Sequence, residues 1–436
     1  MKRILLDTLF RWKEKKKRKP LLIDGARQVG KTYLLKVLFG REFKKVMHID
    51  FLGRPEFCDA FAGSLDPNDI LTNLELLTGQ VFHPGEDLLI LDEIGECSRA
   101  ITSLKYFAEL TPHLFVAACG SNMGLLGSFP VGKVEQYNLP PLTFQEFLWA
   151  SQNEVLIKAF ENRQTSISAH RKLLEQLHDY YFTGGMPEVQ CWFNLSKVSI
   201  LDRNAAVSEI HANLIEGYKR DFGKAGKLDS QLLISLFTHI PAQLSLVREA
   251  SVKRFKFKGV HPRKSRYADF QSAIAWLHQC RLVLENYPIK GKARLPFAAY
   301  KKDNLVKLFM FDVGLLNHML GSSYKEITNQ KTEYKGYVAE NFVAQEFAAM
   351  GIEPSYSWGD ARAEIEFIVS DDEGNIIPVE VKSGRRTRAK SLQSYIKKCR
   401  PKKSNKADRK GGIFTARKKP YCFTTLFCLL SIRKNI

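Results

Sequence analysis

The sequence lacks several features that would assign it to a particular class of protein. It has no apolar run of the ~20 residues that a membrane helix requires, and the longest late run, residues 422–432, is far shorter. No N-terminal signal peptide is evident, because the basic run at residues 13–19 is not followed by an apolar core of the right length. The eight cysteines form no CxxC pair and have no histidine at metal-ligand spacing. We therefore expect a cytoplasmic protein with reduced thiols and no membrane span.

Acidic residues are almost absent from the C-terminal end of the chain. Between Val381 and Ile436 there are 18 lysines and arginines but only one acid, Asp408, so this segment carries +17 of the formal net charge of +20. A clustered positive field attracts polyanions, and nucleic acid is the commonest polyanion in the cytoplasm. This composition therefore suggests DNA as a partner. A solvated or disordered tail explains the same composition, and both interpretations stay open.

A phosphate-binding loop is the most informative feature that is present. Residues 25–32 read Gly-Ala-Arg-Gln-Val-Gly-Lys-Thr, a complete GxxxxGK[ST] pattern, between a strand-like run at 20–23 and a helical pattern at 33–39. The backbone amides of such a loop converge on nucleotide phosphates. Lys31 can reach the β- and γ-phosphates, and the Thr32 hydroxyl can help to hold Mg²⁺. The pattern predicts that the chain binds ATP with Mg²⁺.

The second part of this site is predicted where a buried strand ends in two acids. Asp92 would hold the hydration shell of Mg²⁺, and Glu93 would accept a proton from the water that attacks the γ-phosphate. The alternative is an ordinary strand that ends in a solvated acidic pair, but a parallel sheet gathers its strand ends along one edge, where ligands bind. Asn122, after the strand-like run 114–119, could sense the γ-phosphate or simply form a turn. The predicted nucleotide-site residues are Gly25, Gly30, Lys31, Thr32, Asp92, Glu93 and Asn122.

Strand-like and helical runs alternate through the first third of the chain, which predicts an α/β fold with the parallel sheet of a phosphate-loop NTPase. Later stretches are helical up to about residue 228. The expected domains are an ATP-binding domain at 1–150, a helical lid or connector at 151–228, a winged-helix-like domain at 229–325, a smaller α/β domain at 326–400 and a basic tail at 401–436.

The winged-helix-like region contains a basic stretch, Lys253 to Arg266, with seven lysines and arginines and no acid. Such a stretch suits contacts to nucleic-acid phosphates, which position a protein without specifying a base sequence. A winged helix that serves only for packing or protein contact fits equally well, because a charge run is usually a solvated face.

A second possible active site lies between residues 340 and 382. Glu340 falls on a predicted helix, and Glu366, Glu380 and Lys382 fall on predicted strands at one edge of a sheet. Two carboxylates can bind a divalent metal, and a neighbouring lysine can stabilise developing charge on a phosphate. This is the chemistry of restriction-type nucleases. A related fold that binds nucleic acid without cutting it is the alternative.

Several of these motifs resemble a known family. GARQVGKT, LLILDE, CGSN and PLTFQEFL resemble the AAA-type ATPase domain of many bacterial and archaeal proteins of uncertain role. YYFTGGMPEV, YKRDF, FMFDVGLL and IPVEVKSG are similar to that family's linker and C-terminal domain of unknown function, so the resemblance covers about residues 1 to 400.

The resemblance implies the additional-strand, catalytic-glutamate class of ATPases, in which Glu93 would be the base. It also implies self-association and an arginine finger that acts on a neighbouring subunit, for which Arg99 and Arg220 are candidates. The family's C-terminal domain shares an acid, acid-x-Lys core with the restriction-endonuclease fold. Here Glu366 stands where Asp is usual, and after Arg400 the family's final strand is hard to find. Residues 401–436 are then either a basic extension or the product of an altered reading frame.

Two functional hypotheses follow from these patterns. In the first, ATP turnover drives an assembly on nucleic acid, and the C-terminal domain is a metal-dependent nuclease. In the second, the protein is a regulatory switch, in which ATP biases the domains to grip or release a protein or nucleic-acid partner without cleavage.

Overall fold

The computed structural model describes the chain in eleven segments: residues 1–121, 130–164, 166–194, 198–223, 225–226, 228–246, 254–302, 304–328, 336–359, 364–381 and 390–399. The chain divides into two compact units. The first contains Met1–Leu142 and the short segment Gln279–Arg281, and the second contains Thr143–His278 and Leu282–Ile436. In the described segments, no helix combines the length and the apolar character needed to cross a bilayer.

The first unit is built on a sheet of five parallel strands. The strands are β1 (Leu21–Asp24), β2 (Val46–Asp50), β3 (Leu88–Asp92), β4 (Phe115–Cys119) and β5 (Glu135–Asn138). Their order across the sheet is β2-β3-β4-β1-β5, so β4 is inserted between the strand before the phosphate loop and the strand that ends in acid. This is the additional strand that the family resemblance implied. The expectation of a parallel α/β sheet is confirmed.

Burial explains why β1, β3 and β4 were predicted from the sequence and β5 was not. Every residue of β1, β3 and β4 is buried, which is typical of parallel strands covered on both faces. β5 reads Glu-Gln-Tyr-Asn and lies at an edge of the sheet, where polar residues are tolerated. Its sequence therefore carries no strand pattern.

Helices flank this sheet. The first unit contains α1 (Leu5–Lys13), α2 (Pro67–Thr78), α3 (Ser98–Leu110) and four short helices at Tyr33–Phe39, Gly40–Glu42, Pro55–Phe61 and Ile94–Glu96. The start of α2 is set by Asp66, whose side chain accepts a hydrogen bond from the Asn68 amide at 2.8 Å. Gly79 ends α2 in the left-handed conformation. Apolar side chains of α2 and α3 pack on β2 and β3 in one core cluster.

The second unit combines helices with a mixed sheet. Its helices are α4 (Phe144–Ala150), α5 (Glu154–Glu161), α6 (Ile167–Thr183), α7 (Pro187–Phe193), α8 (Ile200–Phe222), α9 (Ser230–Ser245), α10 (Tyr267–Gln279), a short helix at Phe297–Tyr300, α11 (Val313–Met319), α12 (Tyr324–Thr328), α13 (Gly336–Ala349) and α14 (Lys390–Cys399). Its strands are β6 (Val283–Ile289), β7 (Lys307–Met310), β8 (Ser355–Gly359), β9 (Glu364–Ser370) and β10 (Ile376–Val379), in the order β10-β9-β8-β6-β7. Only β6 and β8 are parallel.

This sheet crosses a domain boundary that we predicted. The winged-helix-like region was expected to end at residue 325, but its β6–β7 hairpin joins β8 through the parallel β6–β8 pairing. The hairpin is therefore part of a five-stranded sheet. Nor do the expected boundaries at 150/151 and 228/229 coincide with the division into compact units, which falls after Leu142.

Two motifs of the second unit are explained by close packing. A Cβ on Gly184 would lie 2.0 Å from Asp312 Oδ1, and a Cβ on Gly314 would lie 2.5 Å from the Gly184 nitrogen. Asp312 is completely buried and accepts hydrogen bonds from the amides of Gly185, Gly314 and Leu315. The TGGMP and FDVGLL motifs therefore hold α6 and α11 together.

Candidate functional site

The loop between β1 and the helix Tyr33–Phe39 requires glycine at its first position. Gly25 has φ of +153°, and a Cβ there would lie 2.4 Å from the Leu139 carbonyl oxygen. Gly30 also has a positive φ, of 91°. Both glycines of the sequence pattern therefore allow a backbone course that larger residues would strain.

Lys31 is anchored inside this loop. Its side chain is buried, and Nζ donates hydrogen bonds to the carbonyl oxygens of Gly25 at 3.0 Å and Ala26 at 2.9 Å. Burial lowers the pKa of Lys31, while the nearby negative charges of Glu93 and Asp92 act in the opposite direction. The ammonium group is thus held in a fixed place beside the acidic end of β3.

Asp92, the last residue of β3, is surrounded by hydrogen-bond donors. His48 Nε2 lies 3.0 Å from Oδ2, and Cys119 Sγ lies 2.9 Å from Oδ1. Burial raises the pKa of Asp92, but hydrogen bonds from His48, Cys119 and Thr32 outweigh that effect and lower it. Asp92 is therefore a carboxylate at neutral pH, and its contact with Thr32 joins the loop to the acidic strand.

Glu93 occupies a turn that directs its carboxylate toward the end of β4. Its backbone is left-handed, with φ of 47° and ψ of 46°. The backbone amide and the hydroxyl of Ser121 lie 3.3 and 3.4 Å from Glu93 Oε2. Arg27 of the phosphate loop in turn donates from Nε to Ser121 Oγ at 3.2 Å. The base candidate is thus linked to both the loop and the strand that lies beside β3.

Two arginines from distant parts of the sequence hold the start and the middle of the loop within the first unit. Arg3 is buried and donates from Nη1 to the Val29 carbonyl oxygen at 2.8 Å. Arg281 Nε lies 3.2 Å from Asp24 Oδ2, and the other oxygen of Asp24 accepts the Gly25 amide at 2.8 Å. These contacts constrain the loop backbone ahead of Lys31.

The four central residues predicted from the sequence are therefore brought together. Lys31 and Glu93 interact electrostatically, and Thr32 hydrogen bonds to Asp92. Asn122, the predicted sensor, lies outside the described residues. Sequence reasoning missed His48, Cys119 and Ser121, because each reaches the site through strand order rather than through a local motif.

Neither arginine-finger candidate gains support. Arg99 donates its hydrogen bonds to the carbonyl oxygens of Phe61 and Gly63, so its side chain holds the end of a short helix. Arg220 is exposed at the end of α8 and lies 3.6 Å from Glu216 on the same helix.

The acids of the possible nuclease site are arranged only in part as predicted. Glu340 on α13 is buried and forms an ion pair with buried Lys307 on β7, a partner that the sequence did not suggest. Glu366 on β9 is buried and accepts the backbone amide of Val381 at 3.0 Å. Glu380 follows directly after β10, which is antiparallel to β9. Glu366 and Glu380 are thus close in register, whereas Glu340 is neutralised by a lysine.

Lys382, the expected catalytic lysine, lies outside the described residues. Within the residues that the structure does describe, no group of three or more His, Cys, Asp or Glu side chains could hold a metal ion. A metal centre in the second unit therefore has no support from these side chains.

Three family models match the sequence. Residues 17–148 match an AAA domain, residues 174–326 match a domain of unknown function (DUF8612), and residues 335–434 match a second domain of unknown function (DUF4143). The last match includes most of the basic tail. The mixed sheet draws β6 and β7 from the first of these domains of unknown function and β8 to β10 from the second. No curated protein matches the sequence.

A search of solved structures matches the Walker-type ATPase PABY2304 of Pyrococcus abyssi, at 15% identity and a TM-score of 0.45, with 72% of this chain and 94% of that chain covered. Another is a structure of Drosophila ORC bound to DNA, at 12% identity and a TM-score of 0.29, with the same coverages. The fold assignment rests instead on strand order and on the AAA domain match. On these grounds the first unit has a phosphate-loop α/β fold, and residues 17–148 are similar to an AAA domain.

Proposed function

We propose that the protein binds ATP with Mg²⁺ at the carboxyl edge of the parallel sheet and hydrolyses it there. The observation that carries this proposal is the convergence of a loop lysine, a loop threonine and two acids from a neighbouring strand. Lys31 lies near Glu93, and Thr32 hydrogen bonds to Asp92, although 60 residues separate the two motifs in sequence.

The residues present fit a magnesium nucleotide. Thr32 and Asp92 offer hard oxygen ligands of the kind that Mg²⁺ prefers, directly or through water. When bound, Mg²⁺ offsets the negative charge of the β- and γ-phosphates. Lys31 supplies a fixed positive charge on the other side, and Gly25 and Gly30 allow the backbone to approach the phosphates.

Glu93 is the proposed general base. Its carboxylate accepts contacts from Ser121, which hold one oxygen in place and leave the other to accept a proton from an attacking water. Ser121 directly precedes Asn122, so a γ-phosphate sensor at that position would be coupled to the base through the backbone.

The first test is ATP turnover by the purified full chain as Mg²⁺ is varied, beside a Lys31→Ala variant. We expect Mg²⁺-dependent release of phosphate from the wild type. The variant should lose nucleotide binding, because removal of the ammonium leaves the acidic cluster uncompensated. A Lys158→Ala variant, changed at an exposed lysine of α5, is the matched control.

For the second unit we propose a switch module that binds a partner, and we keep nuclease activity as the second candidate. The Lys307–Glu340 ion pair favours the switch, because it commits one of the three predicted acids to a structural contact. The closeness of Glu366 to the end of β10 favours the nuclease.

Nicking of supercoiled plasmid separates these two candidates. The full chain would be tested with Mg²⁺ or Mn²⁺, with and without ATP, beside a Glu380→Ala variant. Metal-dependent nicking that is lost in the variant would establish a nuclease. Absence of nicking by protein that still turns over ATP would leave the switch.

A further inference from the structure

An extended segment ahead of α10 sorts its side chains into two sets. Phe255 and Phe257 are buried, whereas Arg254, Lys256 and Lys258 are exposed. Alternate residues of an extended chain face opposite sides. Arg254 and Lys256 therefore lie on one side of the segment, and exposed Lys258 follows them in the turn at 258–260. We call Arg254, Lys256 and Lys258 the cationic ridge.

The backbone of the ridge is held in place. The rings of Phe255 and Phe257 contact each other, with centroids 5.0 Å apart. The Phe255 amide donates to the Val306 carbonyl oxygen at 2.7 Å. The side chain of Gln243 both donates to the carbonyl oxygen and accepts from the amide of Lys256, each at 2.7 Å. The exposed cations are thus carried by a backbone that is held in place by packing and hydrogen bonds.

The charge of the ridge is not neutralised locally. The sequence from 254 to 266 contains six lysines and arginines and no acid. Within the part of the chain that the structure describes, none of the three ridge residues forms an ion pair. Among the residues that the structure describes, the nearest acids along the chain on either side have other partners: Asp269 accepts two backbone amides at the start of α10, and Asp229 lies 3.9 Å from His261.

We propose that the cationic ridge binds the phosphodiester backbone of a nucleic acid. Three exposed cations spread along a held backbone suit a linear polyanion, whereas a single small anion would need donors that converge on one point. The centres of protein–protein interfaces are usually enriched in aromatic residues and depleted in lysine. Here the aromatic residues of the segment are buried and the lysines are exposed. Phosphate contacts from lysine and arginine are the commonest contacts in protein–DNA complexes. This inference does not depend on ATP hydrolysis.

The test measures binding of the full chain to a short labelled duplex DNA and to a single-stranded RNA of equal length, over a series of salt concentrations. A variant in which Arg254, Lys256 and Lys258 are all changed to Gln is compared with a control variant in which Lys158, Arg171 and Lys172 are changed to Gln. The control residues are exposed on α5 and α6, and the two variants lose the same charge. Both variants keep the basic tail, and thermal unfolding of each variant reports whether it has folded.

Removal of three phosphate contacts should lower the slope of log affinity against log salt by about 2–3 for the duplex, while the control keeps the wild-type slope. Comparison of the two probes identifies which nucleic acid the ridge prefers. The proposal is overturned if both variants lose slope equally, because the charge then acts only as a diffuse field. It is also overturned if the wild type binds neither probe, which would turn attention to an acidic protein partner.

Discussion

His48 Nε2 lies 3.0 Å from Asp92 Oδ2. His48 is on β2, which pairs with β3, the strand that ends in Asp92. The other ring nitrogen of His48 lies 3.2 Å from Lys36 Nζ. Because an ammonium group can only donate, this nitrogen accepts, and Nε2 carries the proton that is donated to Asp92. The histidine therefore orients the carboxylate that is proposed to hold the hydration shell of Mg²⁺.

Replacement of His48 by alanine should weaken the response to Mg²⁺. Loss of a hydrogen bond that orients a metal-binding group typically costs 10–100-fold in metal affinity or activity, so we expect the Mg²⁺ concentration for half-maximal turnover to rise by about 10-fold. The measurement is ATP turnover against Mg²⁺ concentration at saturating ATP. His83→Ala is the control, because His83 is a half-exposed partner of Asp87 rather than of Asp92. Equal Mg²⁺ requirements in all three proteins would show that His48 does not position Asp92.

Replacement of Gly25 by alanine should disrupt the phosphate loop. The added Cβ would lie 2.4 Å from the Leu139 carbonyl oxygen at a φ that favours glycine. Strain of this kind costs about 1–3 kcal/mol, which corresponds to a loss of about 10-fold or more in nucleotide affinity if the loop distorts to relieve it. Fluorescent-nucleotide titration and thermal unfolding would measure both effects. Gly63→Ala, where a Cβ meets nothing within 4 Å, should behave as wild type. Wild-type affinity in Gly25→Ala would contradict the observed loop geometry.

Removal of one partner of the Lys307–Glu340 ion pair should destabilise the protein more than replacement of both partners by apolar residues. Both side chains are buried, so Glu340→Ala leaves an uncompensated lysine and should destabilise the protein by about 3–5 kcal/mol. The double variant Lys307→Met, Glu340→Leu should recover much of that loss. Chemical denaturation of the single and double variants gives the coupling energy. Additive losses would mean that the two charges do not stabilise each other.

Asp312 should make stability depend on pH. Burial raises its pKa to about 6, although the amides of Gly185, Leu315 and Gly314 oppose the shift. Because the folded state holds this proton more tightly than the unfolded state, the contribution of Asp312 is greatest below about pH 4 and is lost as pH rises toward 6. The free energy of unfolding of the wild type, relative to Asp312→Asn, should therefore fall across that range and be flat above it. A difference that is independent of pH would rule out titration of this carboxyl group.

Local motifs predicted the centre of the nucleotide site but not its surroundings. Lys31 and Thr32 are adjacent in one pattern, and Asp92 and Glu93 end one apolar run, so each pair can be read from a short stretch of sequence. Cys119 reaches Asp92 because β3 and β4 pair with these two residues opposite each other. That register depends on the whole sheet and cannot be read from either strand alone.

The strands, like the site residues, could be predicted only where a local sequence pattern identifies them. Strands β1, β3 and β4 were predicted because buried parallel strands are largely apolar runs, and β2 was predicted although its residues alternate between buried and partly buried. β8 was missed because Ser355 and Ser357 interrupt its apolar pattern, although both serines are buried. The pairing of β6 with β8 involves residues separated by about 70 positions, so it could not be predicted from a local pattern. Through this pairing the β6–β7 hairpin, which lies in the expected winged-helix-like region, is part of a five-stranded sheet.

The most direct test of the account is the Glu93→Gln variant of the full chain, assayed for ATP binding and for ATP turnover in the same preparation. The amide keeps the size of the side chain and its contact with Ser121 but cannot accept a proton from water. We predict unchanged ATP affinity and turnover lowered by about 100-fold or more. Full turnover in this variant would contradict the assignment of Glu93 as the base.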